Sequence, residues 1–205
     1  MIRRLLVDYG EVISTPLPEN TINDLAGLAD QLRDAFLERY WHHRHAYDLG
    51  QPPADYWSDV LARDLSGSRR LVDRLTSIDV HGWLRLNSLT LPTLLSYARR
   101  TGAQLALLSN APEPLADAID QCSWSRNFEH RYYSCRLGAA KPDPQAFQLV
   151  LNDLGAQPSE VLFIDDRSEN TLTARDLGMH TATFTSARAL DRELRLTTHE
   201  GKQGG

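Results

Sequence analysis

The first apolar run of the chain ends in an acidic residue, and this order constrains the fold more than any other feature. Residues 5–7 have the composition of a buried parallel strand, and Asp8 follows them directly. Ligands of open α/β sheets bind at the carboxyl ends of the strands, so the Asp8 carboxylate is expected at a binding edge. Gly10 then lets the backbone turn and approach a ligand closely.

Polar residues follow two further apolar runs in the same way. Ser109 and Asn110 come directly after the second run, and Asp165 and Asp166 come after the third. From about residue 81 onward, such strands alternate with helical patterns, which predicts a doubly wound parallel sheet of the α/β class. Three strands of this sheet would therefore deliver polar side chains to one edge.

The section between the first strand and the rest of the sheet contains helical patterns only. From residue 22 to residue 41, apolar residues are spaced three or four apart, which predicts one long helix, and two shorter helices follow. The predicted organisation is a Rossmann-like core of residues 1–13 and 81–198, a helical cap inserted at residues 14–80, and a disordered tail of residues 199–205.

Composition excludes several classes of function. The net charge of −5 argues against a broad phosphate-binding surface, so no nucleic-acid partner is expected. No apolar stretch approaches the length of a membrane-spanning helix, so no membrane association is expected either. Cys122 and Cys135 lack metal-type spacing and are expected as reduced thiols, which predicts a cytoplasmic protein.

The carboxylates at the predicted edge indicate a bound cation. Asp8, Asp165 and Asp166 would repel one another unless some stay protonated or a cation lies among them. An all-oxygen donor set suits Mg²⁺ better than zinc. With Lys141 and Mg²⁺ the charges would cancel, which leaves the site ready for an anionic phosphoryl group. The Ser109 hydroxyl would hold its oxygens, and Asp8 would attack phosphorus to give an aspartyl-phosphate.

Four segments in this order resemble the haloacid dehalogenase superfamily, which consists mostly of phosphatases. The matching segments are residues 6–12 (LVDYGEV), 107–110 (LLSN), 141–143 (KPD) and 163–170 (FIDDRSEN). The resemblance implies that Asp8 is the nucleophile, that Ser109 and Asn110 bind phosphate, and that Lys141 stabilises both the nucleophile and the phosphoryl group. It also implies a magnesium site and a small helical cap that closes over the substrate. The implied Mg²⁺ ligands are Asp8, the Gly10 carbonyl, Asp165 and Asp166, with Asp166 the more direct of the two adjacent acids.

One position departs from the family pattern. Family phosphatases usually carry a second aspartate, the general acid and base, two positions after the nucleophile, and here that position is Gly10. Glycine cannot transfer a proton, and this step typically contributes about 10²–10⁴-fold to the rate. Glu11 is the nearest replacement in sequence, and the histidines of the predicted cap, His42, His43 and His45, are others.

Three functions follow from these residues. The first is a Mg²⁺-dependent phosphatase acting on a small phosphorylated metabolite. The second is a 2-haloacid dehalogenase, in which Asp8 attacks carbon; that reaction needs no metal, so the adjacent acids Asp165 and Asp166 argue against it. The third is a binding protein that has kept the fold and lost the acid. The sequence of the cap does not identify the substrate.

Overall fold

The structure contains one parallel sheet that places the predicted residues at a common edge. It is a computed structural model that describes residues 1–200 and, for residues 197–200, the backbone alone. The strands are β1 (Arg4–Val7), β2 (Gln104–Ser109), β3 (His130–Tyr133), β4 (Val161–Asp165) and β5 (His180–Thr183). They lie in the order β3-β2-β1-β4-β5, and each pairs in parallel with its neighbours. The predicted α/β fold with a doubly wound parallel sheet is confirmed.

Helices fill the insertion after β1 and cover the sheet. They are α1 (Glu19–Leu28), α2 (Arg33–Asp48), α3 (Pro53–Leu61), α4 (Arg69–Trp83), α5 (Thr90–Thr101), α6 (Glu113–Gln121), α7 (Ser134–Leu137), α8 (Pro144–Leu154), α9 (Ser168–Asp176) and α10 (Ala187–Glu200). The start of α8 is as the sequence predicts, since the Asp143 side chain caps it by accepting a hydrogen bond of 2.9 Å from the Gln145 N–H.

Both faces of the sheet are buried, which explains the continuous apolar runs of its strands. Side chains alternate along a strand, so Leu5 and Val7 of β1 join one apolar core while Leu6 joins the other. Helices α5, α6 and α10 pack on the first face, and α8 and α9 cover the second. A central strand covered in this way presents little but its carboxyl end to a ligand.

The insertion has an apolar core of its own. Helices α1 to α4 pack around aromatic side chains that are fully buried, among them Phe36, Tyr40 and Trp57. The Trp57 indole N–H donates to the Thr76 hydroxyl at 2.9 Å, so this buried polar group is satisfied. A bridge between Ser14 and Leu86 joins the two chain segments that enter and leave the insertion.

Two details of the insertion differ from the sequence prediction. The long helix predicted from residue 22 to residue 41 is wrong: α1 ends at Leu28 and α2 begins at Arg33. Asp30 lies between them with a φ of 54°, a left-handed conformation that interrupts the helix although the apolar spacing continues. The predicted boundary at residue 80 lies inside α4. This helix belongs to both parts: Val72 and Leu75 pack in the core of the insertion, and Val80 and Trp83 pack in the core of the sheet.

The end of the chain is described only in part. The backbone of residues 199–200, which belong to the predicted disordered tail, continues α10, and residues 201–205 lie outside the described residues. None of the helices in the described part of the chain is long and apolar enough to span a membrane.

Two glycines provide a test of the packing between α1 and α4. A methyl group on Gly82 would lie 2.6 Å from Thr21 Cγ2 and 2.7 Å from Leu17 Cδ1, whereas one on Gly27 would meet no atom within 4 Å. We expect Gly82→Ala to lower the free energy of unfolding by about 1 kcal/mol, because overpacking costs about 1–3 kcal/mol and the helical preference of alanine returns about 1. Gly27→Ala should raise it by about 0.5–1 kcal/mol. Urea unfolding of both variants measures these changes. Equal changes in the free energy of unfolding would contradict the close packing described at Gly82.

Candidate active site

The carboxyl ends of three neighbouring strands meet at the centre of the sheet. Asp8 follows β1, Ser109 ends β2 and Asp165 ends β4. The Asp8 N–H donates to the Ile164 carbonyl at 2.9 Å, so the hydrogen-bond ladder between β1 and β4 continues through Asp8. All three polar residues are buried, with exposed fractions of 7%, 2% and 0% respectively. The convergence that the sequence predicts is therefore present.

Lys141 binds all three of these strand ends. Its Nζ atom donates to Asp8 Oδ1 at 2.6 Å, to Asp165 Oδ2 at 2.7 Å and to the Leu108 carbonyl at 2.9 Å. These three acceptors use every N–H of the ammonium group. Because Lys141 is only 3% exposed, the ion pairs are shielded from water.

Asn110 and Asp165 fix this lysine from two sides. The Asn110 side chain pairs with the Lys141 backbone in both directions, donating to its carbonyl at 2.8 Å and accepting from its N–H at 2.9 Å. Asp165 Oδ1 accepts from the Arg167 N–H and from Asn170 Nδ2, each at 2.9 Å. Asn110 thus has a positioning role in the structure, while the phosphate-binding role expected for it stays a prediction.

The electrostatics of the site favour an added positive charge. Burial raises the pKa of Asp8 to about 7; Asp165 and Asp166 also raise it, and Lys141 opposes them. Burial and the neighbouring Asp165 raise the pKa of Asp166 as well. Burial would lower the pKa of Lys141, but Asp8 and Asp165 outweigh it and the net shift is upward. One ammonium group therefore does not neutralise the three carboxylates.

The donor set fits Mg²⁺. Oxygen atoms of Asp8, Asp165 and Asp166 lie within 4.8 Å of one another. Asp8 and Asp166 line the same cavity, whereas both oxygens of Asp165 already accept hydrogen bonds. The Oδ1 atom of Asn170 is buried without a hydrogen-bond partner and belongs to a residue that lines this cavity. Carboxylate oxygens together with an unpartnered amide oxygen are typical surroundings of a hydrated, hard cation.

The turn after β1 passes beside Asp8. The Tyr9 carbonyl accepts from the N–H groups of Ile13 and Ser14 at 2.9 and 2.8 Å, which closes the turn. Glu11 lies inside it with a φ of 55° and an exposed side chain. Gly10 lines the cavity, and a Cβ atom there would lie 3.9 Å from Asp8 Oδ2, an ordinary contact distance. The turn therefore has room for a Cβ atom at position 10.

The insertion forms the opposite wall of the cavity, which has a volume of about 480 Å³. This wall carries Trp41, Arg44, His45 and Asp48 of α2 and Trp83 of α4. Of the three histidines that the sequence offers as proton donors, only His45 is among the residues that line this cavity.

A buried ionic network supports that wall. The Arg44 guanidinium lies 2.8 Å from Asp48 Oδ1 and 3.6 Å from Asp79 Oδ2. The Tyr40 hydroxyl donates to Asp79 Oδ1 at 2.6 Å and accepts from the Trp83 indole N–H at 3.0 Å. Tyr40, Arg44 and Asp48 belong to α2, whereas Trp83 packs in the core of the sheet, so Trp83 links the network to the sheet.

Several residues of the site could not be assigned from the sequence. Asn170 lies in the motif of residues 163–170, but its contact with Asp165 depends on how α9 packs. Trp41, Arg44 and Asp48 lie in a helix without any motif, and only the fold brings them to the cavity. The available signal was the presence of Arg44 and Asp48 at positions i and i+4 of a helical pattern, which predicts a contact but no cavity.

Comparison with known proteins agrees with this geometry. A model of the haloacid dehalogenase-like hydrolase family matches residues 38–178. The chain therefore belongs to the haloacid dehalogenase-like hydrolases, and it is a hydrolase of that superfamily. The family resemblance expected from the four motifs is confirmed.

Curated relatives are similar over part of the chain. Bifunctional epoxide hydrolase 2 of Rattus norvegicus is 40% identical over 77 residues, which are 38% of this chain and 14% of the relative. Phosphoglycolate phosphatase 1 of Pseudomonas aeruginosa is 32% identical over 92 residues, or 44% of this chain and 34% of the relative. The alignments thus span well under two thirds of these relatives.

A solved structure shares the fold over nearly the whole chain. It is a haloacid dehalogenase family enzyme from Bacteroides thetaiotaomicron in complex with magnesium and inorganic phosphate. The TM-score is 0.71 at 24% identity, and the match covers 90% of this chain and 95% of that one.

The buried lysine generates a prediction about stability without metal. Lys141→Met should lower the free energy of unfolding in EDTA by about 3–5 kcal/mol, because removing one partner leaves buried carboxylates without a counter-charge. Adding Asp8→Asn to this variant should recover part of the loss, since one of those charges is then removed. Denaturant unfolding of the single and double variants measures both effects. Equal stability of the two would contradict the proposed charge balance.

Proposed function

We propose that the protein is a Mg²⁺-dependent phosphatase that hydrolyses a small phosphorylated metabolite through an aspartyl-phosphate. The observation that carries this proposal is the position of Lys141 Nζ, 2.6 Å from Asp8 Oδ1 and 2.7 Å from Asp165 Oδ2, at the floor of a cavity that Ser109 and Asp166 also line. The phosphatase among the relatives and the magnesium and phosphate of the solved neighbour support the same chemistry.

The contacts of Asp8 favour one of its two carboxylate oxygens as the attacking atom. Lys141 holds Oδ1, so Oδ2, on the side of Gly10, is the atom that forms the bond to phosphorus. As this bond forms, the ester bond breaks and the leaving oxygen takes a proton. Water then attacks phosphorus, which releases inorganic phosphate and regenerates the Asp8 carboxylate. Lys141 orients Asp8 and lowers its pKa against the effect of burial, and the Ser109 hydroxyl binds a phosphoryl oxygen.

Asp8, Asp166 and the Gly10 carbonyl would hold Mg²⁺, with Asp165 as a positioning residue for Lys141. When bound, the ion supplies positive charge for the carboxylates and the phosphoryl oxygens. Asp165 is assigned a positioning role and not a ligand role because both of its oxygens already accept hydrogen bonds, from Lys141, Arg167 and Asn170.

Gly10 cannot donate a proton to the leaving oxygen, so another group must supply it. Glu11 and His45 both line the cavity and are the remaining side-chain candidates from the sequence. The free thiols Cys122 and Cys135 are consistent with the cytoplasmic location that we propose for the protein.

Hydrolysis of p-nitrophenyl phosphate tests the proposed function. We expect turnover with Mg²⁺, none in EDTA, and recovery when Mg²⁺ is restored. Asp8→Asn should abolish turnover while thermal unfolding shows a folded protein, since the two side chains are nearly isosteric. Released phosphate is the measured product, and Glu38→Gln, on the exposed side of α2, serves as the control.

Each failure of this experiment points to a different alternative. Full turnover of the phosphate ester in EDTA would overturn the proposed Mg²⁺ dependence. Halide release from 2-haloacids without release of phosphate from esters would replace the proposal with the dehalogenase reaction. Magnesium and phosphate binding without turnover of any ester would indicate the binding protein.

The vacant acid position generates a further prediction. Gly10→Asp should raise kcat/KM for alkyl phosphates by about 10²-fold or more, the range of general acid catalysis, because an alkoxide needs a proton as it leaves. Aryl phosphates, whose leaving groups are weaker bases, should change much less. Steady-state kinetics with matched alkyl and aryl esters measures this selectivity, and Gly10→Asn, of the same size but without a transferable proton, is the control. Equal gains from both variants would contradict the missing-acid account.

A further inference from the structure

The wall of the cavity that faces the phosphoryl site carries a large, accessible aromatic surface. Trp41 lines the cavity and is 47% exposed, so nearly half of this large side chain remains accessible. Its ring makes T-shaped contacts with Tyr40 at 5.0 Å and Trp83 at 6.2 Å between centroids, so neighbouring aromatic rings hold it in place. The remaining surface of the ring is open to a ligand. Leu115 of α6 adds a further apolar group to the cavity lining.

The cationic side chains of the cavity are already paired with carboxylates. Arg44 lies between Asp48 and Asp79, and Lys141 lies between two carboxylates at the floor. Arg167, the third arginine or lysine of the lining, pairs with Glu169 at 2.5 Å. The Arg167 and Glu169 side chains are both more than half exposed to solvent, so this pair is weak. Within the described residues, no buried lysine or arginine of this lining is therefore left to receive a second anionic group of a substrate.

The volume permits a ring system beside the phosphoryl group. A cavity of roughly 150 Å³ is enough to hold benzene. At about 480 Å³, the present cavity has room for a phosphoryl group and a bicyclic aromatic group.

We propose that Trp41 is a specificity-determining residue, and that the substrates are phosphate monoesters with an uncharged aromatic leaving group that packs on the Trp41 ring. This inference rests on the proposed phosphatase function and names the substrate class for the same site. The absence of an acid at Gly10 supports it independently, since an aryl oxygen needs less protonation as it leaves than an alkoxide does. Substrates with a second anionic group, such as a carboxylate, are disfavoured because Arg44 is already neutralised.

Two pairs of substrates separate ring contact from leaving-group basicity. The phenols released from 1-naphthyl phosphate and phenyl phosphate are similarly weak bases, but naphthyl offers a larger ring surface. Benzyl phosphate and cyclohexylmethyl phosphate both release alkoxides and differ in aromaticity. For each pair the measured quantity is the ratio of the two kcat/KM values on one preparation, which does not depend on the fraction of folded enzyme.

We expect the wild type to prefer 1-naphthyl phosphate in the first pair and benzyl phosphate in the second, and Trp41→Ala to lower each preference by between about twofold and about twelvefold. This is the range that an aromatic contact of about 0.5–1.5 kcal/mol produces. Trp41→Phe keeps a smaller ring and should fall between wild type and Trp41→Ala. Leu32→Ala, which removes an apolar side chain that is 84% exposed on the same insertion and outside the cavity lining, should leave both ratios unchanged.

A third pair tests the charge preference. The phosphates of 4-hydroxybenzamide and 4-hydroxybenzoate have the same ring, and only the second carries a carboxylate. We expect the neutral amide to be hydrolysed with the higher kcat/KM in the wild type. Asp48→Asn frees part of the Arg44 charge and should narrow this difference.

The outcomes distinguish this inference from the function on which it rests. Mg²⁺-dependent turnover with ratios that Trp41→Ala leaves unchanged would overturn the role of Trp41 and keep the phosphatase. Preference for the carboxylate over the amide would overturn the charge argument. No phosphate release from any ester would overturn the phosphatase function, and the substrate class with it.

Discussion

The Lys141 ammonium group lies where the carboxyl ends of strands β1, β2 and β4 meet. Its three N–H groups donate to one acceptor at each of these strand ends. Moving an ammonium group out of water costs several kcal/mol, and nearby carboxylates must offset that cost. Asp8 and Asp165 do so here, while Asn110 holds the lysine backbone in place through two hydrogen bonds. The position of the Asp8 carboxylate therefore depends on one buried charge. The same positive charge offsets the repulsion between the Asp8 and Asp165 carboxylates at the edge of the sheet.

A second buried charge organises the insertion in a similar way. Arg44 is 6% exposed and lies between Asp48 and Asp79, with its guanidinium 5.6 Å from the centre of the Trp83 ring. The Trp83 carbonyl accepts a hydrogen bond of 2.7 Å from the Tyr9 hydroxyl, next to Asp8 in the chain. The Ser134 hydroxyl makes a second connection: it donates to the Asp48 carbonyl and accepts from the Ala111 N–H at 3.0 Å. The insertion is thus joined to the sheet edge by satisfied polar contacts on both sides of the cavity.

The sequence predicted the sheet edge well because the relevant signal is local. An apolar run followed by Asp8, by Ser109 or by Asp165 reports both the strand and the side chain at its end. The insertion was harder, since apolar spacing continues through the break at Asp30, and periodicity carries no information about a single left-handed residue. The residues of the cavity wall could not be predicted from the sequence for another reason. Trp41 and Arg44 acquire their roles only from long-range packing of α2 against Trp83 and the sheet.

Helix α4 contributes side chains to two apolar cores, with Val72 and Leu75 in one and Val80 and Trp83 in the other. Neither core is complete without it, so loss of order in the insertion removes packing from the sheet, and the two should unfold cooperatively. A chimera cut at a conventional domain boundary would sever this helix and leave both halves with an unfilled core. Exchange of the insertion between relatives would therefore need to carry α4 whole, together with the residues that its carboxyl-terminal end contacts.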